Sequence, residues 1–240
     1  MMTLADDAAT AAFSKLAELA QHRSDLYRLL AIGFSNPTSD LIFDLQIGTL
    51  VEDLRQSLSA LALSEAQYTA SLNGLVELSS RCRDDDPAAV LSQLRVEYMR
   101  LFNNPRVPLI PIYETLYREE ATATSQPLLI ASPTAMVVDR CYRDAGLHMV
   151  SKNSPDHLTI ELEFLVYLCG KESEAWDAGN NAMAKKWRRT EQTFLDEHLG
   201  TWGVTLFCRV QELTEERFYR CFAALAATFL RLETGAYQPR

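Results

Sequence analysis

Residues 153–172 read NSPDHLTIELEFLVYLCGKE and place His157, Glu161 and Glu163 near the start of an apolar run. A histidine with two carboxylates is the raw material of a metal site or an acid/base pair. On a helix turning about 100° per residue, His157 and Glu161 are neighbours and Glu163 lies round on another side, so the three do not converge. The Glu-x-x-His spacing of diiron bundles and the His-Glu-x-x-His of zinc proteases are both missing, and the chain has only four histidines. No metal and no cofactor is expected. The sequence also lacks a GxxxxGK(S/T) phosphate loop, a GxGxxG turn and a GxSxG elbow, and nine glycines in 240 residues leave little backbone for such sites. A helix start accounts for the polar residues without catalysis. Asp156 at the second helical position suits the positive end of the helix dipole, and Glu161 can pair with a protonated His157.

The elements that must position these residues are helical nearly throughout. An opening run reaches Phe34 and breaks at Asn36-Pro37, and a second covers about 40 to 61. Ser64 with Gln67 forms a capping-box pattern, and Asp86-Pro87 and Ser132-Pro133 each set a cap residue before a first-turn proline. Ser154-Pro155 has the same form and predicts a helix apolar almost all round, hence central. Further helices are predicted over about 181–200 and 215–234, the last closing at Gly235. GVTLFCRV, 203–210, has strand-like composition but no partner strand. The reading is an all-α chain of about nine or ten helices, one globular unit over 1–240.

Composition narrows the function. With 48% apolar residues the chain can bury a large core. A formal charge of −9, from 23 basic and 32 acidic residues, opposes a phosphate backbone and suits cationic partners, so no nucleic acid is expected. Five scattered cysteines without a CxxC pair fit a reducing cytoplasm better than a disulfide framework. No signal peptide and no bilayer-length apolar stretch is visible, which predicts no stable membrane insertion.

The helical grammar is interrupted by FNNPRVPLIPIYETLYRE, 102–119. Pro105, Pro108 and Pro111 exclude a regular helix, while Val107, Leu109 and Ile110 are too apolar for a solvated linker. The loop at 103–112 is read as packing on the body, either as a strap between N- and C-terminal helical halves or as the stiff wall of a binding groove.

The order and spacing of EYMRLFNNPRVPLIPIYETLY (97–117), CYRDAGL (141–147), SPDHLTIELEFLVYL (154–168) and FLDEHLGTW (194–202) resemble the TorD/DmsD/NarJ group of cytoplasmic chaperones. The resemblance implies an all-helical fold and a non-enzymatic role. Such proteins bind the twin-arginine leader of the catalytic-subunit precursor of a molybdenum-dependent oxidoreductase and assist cofactor loading before export. The family's patterns fall on Pro111, Tyr113, Glu114, Thr115 and Tyr117, and on Pro155, Asp156, His157, Glu161 and Leu162, of which the eight other than Thr115 and Leu162 are expected to bind the partner; a later histidine and tryptophan fall on His198 and Trp202. Asn104 stands where the family often has glycine, and Ile112 where it often has a second proline. Both monomers and homodimers fit the resemblance.

A leader with two guanidinium groups and an apolar run needs carboxylates beside an apolar groove. Glu114, Asp156 and Glu161 are expected to supply charge, Tyr113, Tyr117 and the Pro105–Pro111 loop apolar surface, and His157 a hydrogen bond or a pH response. Two rivals are a helical adaptor indifferent to leaders and a nucleotide hydrolase. The twin arginine in KWRRTEQTFL, 186–195, lies inside a helical pattern and is not read as an export signal.

Overall fold

A computed structural model of the chain describes residues 4–61, 63–104, 108–118, 132–150 and 153–235. Pro105 and Val107 of the proline loop therefore lie outside the described residues. Ten α-helices appear among the described residues: α1 (Leu4–Gly33), α2 (Ser39–Ile47), α3 (Thr49–Ala60), α4 (Glu65–Cys82), α5 (Pro87–Phe102), α6 (Pro133–Asp144), α7 (Leu158–Asp177), α8 (Asn181–Glu197), α9 (Leu199–Leu213) and α10 (Arg217–Glu233). A single 3-10 turn, Glu114–Leu116, follows the proline loop. The fold is all-α.

Local chemistry starts most of these helices where the sequence indicates. The Ser64–Gln67 capping box forms at α4, Asp86 accepts from the Ala88 N–H with Pro87 in the first turn of α5, and Ser132 accepts from the Ala135 N–H at α6. The run expected over 40–61 is two helices instead. Gly48, at φ 89°, closes α2 and opens α3 in a left-handed conformation that only glycine adopts cheaply. The strand-like 203–210 segment lies within α9, where Leu206, Phe207 and Val210 are buried, so helix packing outweighs β-branched composition.

α7 is central. It pairs along its length with α1 and also packs on α8 and α9. Leu158, Leu162, Phe164, Leu165, Leu168 and Cys169 are all buried. The aromatic centre lies just past the end of α1, where Phe34 meets the rings of Phe102, Phe207 and Phe222 at 6.3, 5.0 and 6.1 Å and so joins α5, α9 and α10 to the N-terminal helix. Gly33 permits this contact, because a Cβ there would fall 2.3 Å from the Phe222 ring.

Candidate functional site

The site grows from a backbone junction. After the proline loop the chain runs antiparallel to the segment entering α7: Glu114 N–H donates to the Asp156 carbonyl (2.9 Å) and Leu158 N–H to the Ile112 carbonyl (3.0 Å), with Tyr113 opposite His157. This junction moves the start of α7 away from the expected Ser154-Pro155. His157 is the N-cap, and its Nδ1 accepts from the Thr159 N–H (3.2 Å) and contacts the Thr159 hydroxyl (2.8 Å). Asp156 precedes the helix rather than occupying its second position.

Asp156 is fully buried and acts as a clamp. Its carboxylate accepts from the Thr115 N–H (3.0 Å) and from the Thr115 and Ser154 hydroxyls. Thr115 Oγ1 lies 2.6 Å from the Ser132 hydroxyl, which carries the tie on to the cap of α6. One carboxylate thereby fixes the 3-10 turn, the approach to α7 and, through Thr115, the start of α6.

Glu114 and Glu161 occupy the interior beside it, both with no exposed surface. Glu114 accepts from Arg118 through both Nε (2.9 Å) and Nη2, and its Oε2 lies 3.0 Å from His198 Nδ1. Arg118 Nη2 also donates to the carbonyl of Glu197 at the end of α8. Glu161 Oε2 accepts from the Trp202 indole N–H (3.2 Å). Burial, and then the adjacent Glu114 charge, push Glu161 well above the usual carboxylate range, which favours its neutral form. The expected Glu161–His157 ion pair does not form: burial lowers His157 to about 4 against a smaller opposing pull from Asp156, leaving the ring neutral and set edge-on to Tyr113. Burial also disfavours charge on His198, yet the Cys141 sulfur on one ring nitrogen and Glu114 on the other override it and raise the group to about 9.

Around this buried charge lies a half-exposed apolar rim. Tyr117 packs on Trp202 with ring centroids 5.1 Å apart and donates its hydroxyl to the Pro111 carbonyl (2.9 Å); Tyr142 donates to the Pro155 carbonyl (2.7 Å). Pro111, Tyr113, Tyr117 and Pro155 are each half-buried. Glu163 stands apart, exposed at the edge of a cavity of 260 Å³ that is walled by Leu147, Met149, Ile160 and Tyr167.

A model of the nitrate reductase delta subunit family matches residues 53–208, a span that contains both sides of the junction, His198 and Trp202. The chain belongs to this family. A perchlorate reductase assembly chaperone protein of Dechloromonas aromatica (strain RCB) is 27% identical over 233 residues, covering 96% of this chain and 94% of that one. A selenate reductase assembly chaperone protein of Thauera selenatis is 32% identical over 143 residues, covering 58% and 68%. A crystal structure from Archaeoglobus fulgidus, described as that of a redox enzyme maturation protein, is 20% identical with a TM-score of 0.46, covering 87% of this chain and 93% of that one.

All eight residues singled out in the sequence of this family member meet at one junction. Pro111, Tyr113, Tyr117 and Pro155 form its rim, while Glu114, Asp156, His157 and Glu161 lie inside. Reasoning from the sequence passed over Arg118, the guanidinium that holds Glu114. Its position four residues after Glu114 in ETLYR was the available signal. Among the described residues no group of three or more His, Cys, Asp or Glu is placed to hold a metal, and no helix is long and apolar enough to cross a membrane.

Proposed function

We propose that this chain is a non-catalytic assembly chaperone for the catalytic subunit of a molybdenum-containing oxidoreductase and that it receives the precursor through its twin-arginine leader. In this reading it works in the cytoplasm, before export, as one helical unit whose loop at 103–112 joins two halves, whether as monomer or homodimer. Membership of the delta subunit family, with relatives named as assembly chaperones of perchlorate and selenate reductases, carries the reading. Pro111, Tyr113, Tyr117 and Pro155 are its contact surface, and Glu114, Asp156, His157 and Glu161 are the buried frame that holds this surface in shape. Glu114 already holds one guanidinium, that of Arg118, which supports a leader arginine entering by exchange with it. The cavity beside Glu163 suits the leader's apolar run.

Calorimetry with the full chain tests this. A twin-arginine leader should bind with a Kd of about 1 μM or tighter. Replacing Arg-Arg by Ala-Ala should abolish most of the affinity, while Lys-Lys should keep part of it because charge survives without the planar fork. Equal binding of all three, or capture of the mature subunit alone, would leave a leader-indifferent adaptor as the function.

A further inference from the structure

Three cysteines are half-exposed, Cys141, Cys208 and Cys221, and their surroundings differ. Cys141, on α6, lines an open cavity of 410 Å³ between α6, α7 and α8, together with Phe164, Trp187, Phe194 and His198. Its Sγ is 3.7 Å from His198 Nε2, and the other ring nitrogen, Nδ1, is 3.0 Å from Glu114 Oε2. Arg118 donates twice to Glu114, which keeps that carboxyl an acceptor. Nδ1 must then carry a hydrogen toward Glu114, and the single proton between Nε2 and sulfur is shared by the thiol and the ring. A nucleophile, a base within reach of it and a buried group orienting the base are thus in line, with the sulfur on the solvent-connected side. Cys208 has a cation beside it, Arg231 Nη2 at 3.3 Å, but a guanidinium takes no proton; burial pushes the Cys221 thiol up.

We infer that Cys141 is a modification site, a thiol reactive toward peroxides and alkylating agents, with His198 taking its proton and Glu114 orienting His198. With hydrogen peroxide as oxidant, the sulfur bonds to one peroxide oxygen and the O–O bond breaks, its electron pair leaving with the other oxygen as hydroxide. That hydroxide takes the proton held on His198 Nε2 and departs as water. Sulfur is oxidised to a sulfenic acid and the peroxide is reduced. The product sets a polar oxygen on the wall of an otherwise largely apolar cavity. Nothing in this chemistry depends on leader binding.

Limiting iodoacetamide at pH 7 on the folded full chain, followed by peptide mass spectrometry, compares the thiols within one molecule. Cys141 should be alkylated at least ten-fold faster than Cys221 and faster than Cys208, and dimedone added with equimolar peroxide should tag Cys141 first. His198→Asn should slow Cys141 about ten-fold while leaving Cys208 unchanged, and that second readout separates lost activation from general loosening. If Cys141 reacts no faster than Cys208 in the wild-type protein, or if dimedone does not tag it, the inference is wrong, whether or not the variant folds.

Discussion

Two clusters of buried charge hold this molecule together, and they are built on opposite plans. One lies wholly among helices: Arg23 of α1 reaches Glu172 of α7, Glu191 of α8 (3.3 Å) and Glu233 of α10 (3.8 Å), and Arg188 of α8 reaches Glu191 (2.8 Å) and Glu233 (3.0 Å). The other joins loops: Asp156 binds backbone and hydroxyls, Glu114 is shared by Arg118 and His198, and Glu161 is pushed toward its neutral form. Each sets three acids against two cationic side chains. Both cations in the helical cluster are arginines, which never deprotonate in the working range, so its cationic side is a fixed lock even though burial pushes the Glu233 carboxyl up. The loop cluster puts a histidine in one of those places and pushes one acid toward its neutral form. It is therefore responsive to pH, and it lies where partner contact and thiol chemistry are proposed.

Removing a permanent cation is the harshest way to test the contrast. Arg23→Ala leaves Glu172 and Glu191 buried with reduced compensation, and denaturant unfolding should report a loss of about 3–5 kcal/mol. A loss under about 1 kcal/mol would show that the helical cluster is not a lock. The next largest effect is a pH effect in the loop cluster. His157 titrates near 4 in the folded chain and near its ordinary 6.5 when unfolded, so the unfolded chain takes up a proton first as pH falls. The contribution of this group is therefore whole above about pH 6.5 and declines toward pH 4, with about 2 kcal/mol lost between pH 7 and 5. His157→Asn keeps an N-cap acceptor and should flatten that part of the profile in melts across pH; an unaltered slope would place the sensitivity elsewhere. The smallest effect sharpens the comparison most. Glu161→Gln replaces an acid already pushed toward its neutral form and should cost less than about 1 kcal/mol, whereas Glu191→Gln removes a charge bound to two arginines and should cost about 2 kcal/mol or more. Equal costs in unfolding titrations would mean that Glu161 is ionised in the folded chain.

The sequence was most legible where the cause was local. The caps at Ser64, Asp86 and Ser132 act on N–H groups two or three residues away, and each starts a helix as expected. Ser154-Pro155 carries the same pattern and fails, because the Ser154 hydroxyl is drawn to Asp156 and the Leu158 N–H is claimed by Ile112 across the junction. Ile112 belongs to a segment more than 40 residues earlier, beyond the reach of any local pattern. The site divides in the same way. Spacing and resemblance gathered its eight residues, but which of them are spent inside was fixed by tertiary contacts such as Glu114 to His198 and Glu161 to Trp202. The buried Arg23 cluster joins four helices distant in sequence, and nothing in the amphipathic pattern of α1 marks Arg23 as interior.

The Ile112–Leu158 tie has a consequence measured in time rather than distance. By pinning the chain before and after α6, it lets that helix come loose without disturbing what lies outside the pinned ends. α6 is fastened at Ser132 through Thr115 and at Tyr142, whose ring meets Phe164 at 4.7 Å; between them Ala135 and Val138 are buried while Met136 and Val137 face solvent. α1 and α7 share the most extensive helix–helix contact among the described residues. Backbone amides of α6 should accordingly trade their hydrogens for deuterium through brief partial openings, well before those of α7.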